Sequence, residues 1–81
     1  MSDLKWIVTD VKAQNDYTLI ITFKDGKIGV FDFKPLLSDK INEPLLDKNL
    51  FMNAKVGHHT VMWNEKLDLC PEYLYNNSSQ I

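Results

Sequence analysis

Residues 17–33, Y-T-L-I-I-T-F-K-D-G-K-I-G-V-F-D-F, decide how this chain folds. Tyr17 to Phe23 is a run rich in β-branched and aromatic side chains, and Ile28 to Phe33 is a second. Such side chains fit a pleated, half-buried surface. Between them lie Asp25 and Gly26, a dipeptide suited to a two-residue type I′ turn, in which both central residues need positive φ. A loop of that length pairs Phe23 with Ile28, Ile21 with Val30 and Leu19 with Asp32. Leu19, Ile21, Phe23, Ile28 and Val30 then share one face, and Ile20, Phe31 and Phe33 lie on the other. Both faces are partly apolar and both need cover.

Working outward, residues 5–13 (K-W-I-V-T-D-V-K-A) predict a preceding strand, joined through the polar turn Gln14-Asn15-Asp16. Proline cannot donate to a ladder, so Phe33-Lys34-Pro35 ends the third strand, and Leu36-Leu37 fits one helical turn. Ser38 to Glu43 reads as polar connection. Pro44 opens a short helical segment with Asp47 as N-cap and Leu50, Phe51 and Ala54 as its buried stripe. Residues 55–63 read as one or two strands about Gly57-His58, followed by a turn at Asn64-Glu65-Lys66. Leu67, Leu69 and Cys70 are expected to face inward, and Pro71 suits the first position of a last short helix with Glu72 near its positive end. The fold class is therefore α+β: a small antiparallel sheet (an N-terminal three-strand meander, then one or two further strands) with two short helices. Residues 1–75 form a single domain, and the polar residues 76–81 read as a frayed tail.

Composition narrows the function. Eighty-one residues make one domain, and a chain of that size buries only about 60% of its unfolded surface. At 44% hydrophobic and 25% charged residues it is an ordinary globular sequence, not a disordered one. Eleven acids against nine lysines, with no arginine, leave no electrostatic footprint for nucleic acid or an anionic membrane. One cysteine cannot form an internal disulfide. The N-terminal M-S-D-L-K-W-I-V is neither a signal nor a transit peptide, and no window resembles a membrane span. A cytoplasmic location is expected, with no membrane partner and no direct nucleic-acid binding.

The chemistry-bearing residues form no catalytic or metal motif. His58 and His59 are adjacent, so on a strand they diverge to opposite faces, which is awkward for joint metal ligation. Cys70 with either histidine supplies the elements of a thiol nucleophile, but Asp68 and Glu72 are not the electropositive setting that chemistry needs. Cys70 is better read as a small residue packing the Leu69–Pro71 corner. Asp25, Asp32, Asp68 and Glu72 sit where turns and caps want acids. Trp63, Tyr73 and Tyr75 are residue types found at binding hot spots and, equally, in small cores. No catalytic, cofactor-binding or metal-binding residue is assigned, and no cofactor is expected.

Several segments together carry a family resemblance: Thr22-Phe23-Lys24-Asp25-Gly26, Val30-Phe31-Asp32, Pro44-Leu45, Asp47 to Phe51, Val61-Met62-Trp63 and Asp68 to Tyr75. Over about Trp6 to Tyr75 the chain resembles the bacterial family called domain of unknown function 2442. The resemblance implies an α+β domain with an antiparallel sheet and carries over no catalytic residue. Longer relatives add a C-terminal helix-turn-helix that binds DNA. This chain ends with the shared pattern, so no such segment is expected. Short members often occur beside a second small gene, which implies a toxin–antitoxin-like pair.

The function expected is that of a small binding or regulatory module, the antitoxin-like partner of a neighbouring small protein. The alternatives are a small enzyme using Cys70 or a histidine, and a nucleic-acid-associated regulator without its own DNA-binding domain. The candidate interface is the face bearing Ile20, Phe31 and Phe33, with Trp63, Tyr73 and Tyr75 as rim or anchor residues. The partner is the neighbouring gene's product, a second copy of the chain, or both.

Overall fold

Two hairpins closed in the same way build the N-terminal sheet. The computed structural model describes residues 6–64 and 67–80. It places β1 at Val8–Ala13, β2 at Thr18–Phe23 and β3 at Ile28–Asp32 in an antiparallel meander. At the first turn Gln14 N donates to Thr18 O at 2.9 Å and Tyr17 N donates to Gln14 O at 3.1 Å. At the second, Phe23 N donates to Lys27 O at 2.8 Å and Gly26 N donates to Phe23 O at 2.9 Å. Each loop is three residues long and ends on a left-handed residue, Tyr17 at φ 63° and Gly26 at φ 94°. This is the type I turn with a following bulge, not the two-residue type I′ turn expected at Asp25-Gly26.

One extra loop residue shifts the β2–β3 register by one. Thr22 faces Ile28, Ile21 faces Gly29, Ile20 faces Val30 and Leu19 faces Phe31. Because side chains alternate, the slip reverses every β3 side chain relative to the expected pairing. Leu19, Ile21, Phe23, Phe31 and Phe33 therefore share one buried face. Ile20, Ile28 and Val30 share the opposite face with Thr22 and Asp32. The sequence-based face grouping Ile20 with Phe31 and Phe33 is corrected accordingly.

The type I′ turn does occur, at a place the sequence marks less plainly. β4 (Lys55–Gly57) and β5 (Thr60–Asn64) pair with Gly57 opposite Thr60, leaving His58 and His59 as the two loop residues. Their φ values of 52° and 68° are the left-handed pair this turn demands. β6 (Leu67–Asp68) adds a third strand, so the sheet expected to be single is split into two. His59 O accepts from Val8 N at 3.0 Å and links the sheets.

Short helical pieces fill the connections. Lys34–Ser38 and Lys40–Leu46 are 3-10 helices, the second with Pro44 inside it. α1 is Lys48–Phe51, capped by the Asp47 side chain accepting from Asn49 N at 3.0 Å. α2 is Pro71–Asn77, with its proline in the first turn as expected. Beyond it, residues 79–80 are not a loose tail. β7 (Ser79–Gln80) pairs with Val30 and Gly29 and becomes the fourth strand of the first sheet. Gly29 makes that close approach possible, since a Cβ there would lie 2.6 Å from Ser78 Cβ.

The core lies between the two sheets and is aromatic at its centre. Phe33 packs 5.7 Å from Phe51 and 5.5 Å from Trp63, ring to ring, and Trp63 Nε1 donates to Phe51 O at 2.9 Å. α2 closes one end, with Leu74 buried, Tyr73 against Phe31 and Tyr75 against Phe23.

Two left-handed sites make opposite predictions. Gly26→Val lowers stability by about 2 kcal/mol, because a β-branched residue resists positive φ. His59→Gly raises the melting temperature by a few degrees by relieving the same strain. Thermal denaturation of both variants checks the pair, and equal shifts of the same sign would contradict the turn assignments. At the first turn, the Thr18 hydroxyl bonded to Asp16 holds that exposed carboxyl below the ordinary aspartate range. Thr18→Val should raise the Asp16 pKa toward the ordinary value in an NMR titration. A depressed carboxyl favours the folded state at neutral pH and loses that contribution as pH falls through its folded pKa.

Candidate functional site

Ile41 stands in the first turn of the second 3-10 helix with 70% of its surface exposed. Only Leu45 of this helix is buried, so its side chain anchors the helix while Ile41 and Leu46 are left outside. The helix is also held at both ends, and Asp47 N donates to Pro44 O at 3.2 Å at its close. Asn42 Nδ2 donates to Leu36 O at 3.0 Å, the Tyr17 hydroxyl donates to Leu46 O, and the Asp47 cap follows directly. Tyr17 can reach Leu46 because its left-handed backbone turns the ring onto Phe51, at 5.0 Å. The strained residue thus fastens the meander to the second 3-10 helix and α1.

Between this helix, α1 and the second sheet runs a groove of about 440 Å³ lined by Ile41, Pro44, Leu50, Asn64 and Leu67. Its lining is aliphatic except for Asn64, whose Oδ1 accepts from Leu67 N at 3.0 Å. That size falls within the range of small-ligand and side-chain pockets, about 300–1,000 Å³. Among the described residues the lining is apolar and uncharged, which suits hydrocarbon.

The candidate interface residues do not come together. Phe31, Phe33 and Trp63 are core residues, buried by the register shift and by the second sheet. Ile20 remains on the open face of the first sheet, half-buried between its neighbours. Tyr73 is 45% exposed with one ring face on Phe31. Tyr75 is half-buried and belongs to a clasp: its hydroxyl donates to Asp25 Oδ2 at 2.6 Å and its carbonyl accepts from Lys27 Nζ at 2.8 Å. Lys27 Nζ also lies 4.3 Å from the Tyr75 ring centroid, so the clasp is a structural tie between α2 and the second turn.

The remaining chemistry-bearing residues are scattered. His58 and His59 are both exposed at the hairpin tip. Cys70 is exposed as the residue before α2 and is not the buried packing residue the sequence suggested, because the chain turns outward before Pro71. Among the described residues, no group of three or more His, Cys, Asp or Glu side chains is placed to hold a metal ion. Among the same residues, no helix is long and apolar enough to cross a membrane. Sequence reasoning missed the groove altogether, since residues 38–43 read as polar connection. Ile41, a lone large aliphatic residue in that polar run, was the available signal.

The model of the family described as "Protein of unknown function (DUF2442)" matches residues 8–80. The chain belongs to that family. The DUF2442 match begins at β1 and ends at β7, so it takes in the closing strand as well as the segment up to Tyr75. No curated protein and no solved structure matches the chain. In this DUF2442 domain the groove is a concave, apolar feature of the described residues, with Ile41 exposed on one wall and Leu67 buried at another.

The position of Cys70 is directly testable. A thiol reagent should modify native protein at neutral pH within a factor of a few of the unfolded rate. Strong protection in the native state would show that the thiol is covered.

Proposed function

We propose that this DUF2442 domain is a protein-binding module that takes an apolar segment of a partner into the groove at Ile41, Pro44, Leu50 and Leu67. The observation that carries the reading is the combination of a large exposed aliphatic side chain with a fixed frame. A 70% exposed isoleucine on a helix tied down by Leu45, Asn42 and Tyr17 is presented to solvent. Apolar surface held in this way gains free energy when a partner covers it, about 25 cal/mol per Å² removed from water. Lys40 and Glu43 of the same helix, with Asp47 and Lys48 next in the chain, are exposed charges of both signs, which suit the polar edge of a protein interface. The partner proposed is the product of a neighbouring gene, the domain acting as the antitoxin-like half of the pair.

Ile41→Asp tests this. The residue is exposed, so the melting temperature should stay within a degree or two of the parent. Co-expressed neighbouring protein that copurifies with the parent should be lost at least tenfold with the variant. Undiminished retention by Ile41→Asp would remove the groove from the interface, and a parent that never retains the neighbour would remove the pairing.

A further inference from the structure

The open face of the first sheet shares no residue with the groove. Antiparallel sheets with one wet face normally alternate apolar-in and polar-out. Here β2 and β3 break that pattern. Ile20 is directly opposite Val30, and Ile28, itself 42% exposed, faces Thr22 one step along. The core, α2 and the second sheet all pack against the other face, where Phe23, Phe31 and Phe33 emerge. A β-branched stripe of three residues thus stands on this face, Ile28 exposed and Ile20 and Val30 half-buried.

β1 borders the stripe with two opposite charges. Asp10 pairs across from Thr22 and Lys12 across from Ile20, so both side chains stand on the open face, two residues apart. Both are exposed, and among the described residues the one ion pair is Lys34 with Asp32, so neither is neutralised by another described residue. The face therefore includes two adjacent parallel rows, with Asp32 beyond them. One row holds Asp10, Thr22 and Ile28, and the other holds Lys12, Ile20, Val30 and, from β7, Ser79.

We infer that this face is self-complementary and pairs with a second copy of the chain. A two-fold axis lying between two stacked sheets, perpendicular to the strands and midway between the rows, exchanges one row for the other. Asp10 then faces the second copy's Lys12, Lys12 faces its Asp10, Ile28 covers its Val30, and Thr22 covers its Ile20. Stacked sheets lie about 10 Å apart, a gap the long lysine side chain spans. The result is a sandwich across the two-fold, an isologous contact in which the same charge pair forms twice. The face is only four strands wide, so the contact belongs to the small class below about 1,200 Å² and the dimer is weak and concentration-dependent.

Charge exchange makes the arrangement testable by sedimentation equilibrium up to about 1 mM chain, a range that captures weak association. The parent should show a monomer–dimer equilibrium. Lys12→Asp and Asp10→Lys each set like charges opposite one another twice and should weaken dimerisation at least tenfold. The double variant Asp10→Lys/Lys12→Asp restores both pairs at unchanged net charge and should return the parent constant. A parent that stays monomeric throughout, single variants that dimerise as well as the parent, or a double variant that does not recover would each overturn the inference. So would a heterologous partner whose binding is abolished by Lys12→Asp and untouched by Ile41→Asp, since that partner would own this face.

Discussion

Everything buried in this domain depends on two backbone positions with positive φ, Tyr17 and Gly26. Each ends a three-residue loop, and loop length sets which residues of the next strand stand opposite the last. With Gly26 left-handed at the bulge, Leu19 meets Phe31 and the β3 aromatics turn inward. A loop one residue shorter would send Phe31 and Phe33 to solvent and bring Ile28 and Val30 inside. Glycine occupies that geometry at little cost, whereas tyrosine does so under strain. The strain at Tyr17 is offset by what the ring and hydroxyl reach, namely Phe51 and the carbonyl of Leu46.

From that register the rest of the packing follows. Phe33, Phe51 and Trp63 meet in tilted contact at the centre, and the indole N–H is satisfied by the Phe51 carbonyl. No buried side-chain nitrogen or oxygen among the described residues lacks a partner. A chain this small has little apolar surface to spare, and it places nearly all its rings on one side of one sheet. The consequence is an asymmetric molecule, dense on one face of the meander and bare on the other.

Much of this was legible in the residues. The β-branched runs, the Asp47 cap, the proline at the start of α2 and the α+β class all follow from local chemistry. The failures share a cause: they turn on geometry that composition does not specify. Asp-Gly serves a type I′ turn or the bulged three-residue loop equally well, and the choice moved Phe31 and Phe33 from a candidate interface to the core. His58-His59 forms the tighter turn although neither residue is glycine or asparagine. Cys70 is a small residue beside apolar neighbours, yet its exposure is set by the direction in which α2 departs. The groove was hidden because its walls come from three separate elements, and only Ile41 hinted at it.

The pairing of β7 with β3 also bears on the order in which the molecule assembles. Gly29 and Gln80 are far apart in the sequence, so joining them closes a long loop and is entropically late. During synthesis the meander is complete when Asp32 emerges, well before its fourth strand exists. For that interval β3 is a sheet edge with unpaired N–H and C=O groups, the kind of template on which nascent chains associate wrongly. α2 brings the missing strand to the edge, guided by Tyr75 onto Asp25 and Lys27. The C-terminal residues thus serve as an edge protector whose arrival ends the chain's most vulnerable period.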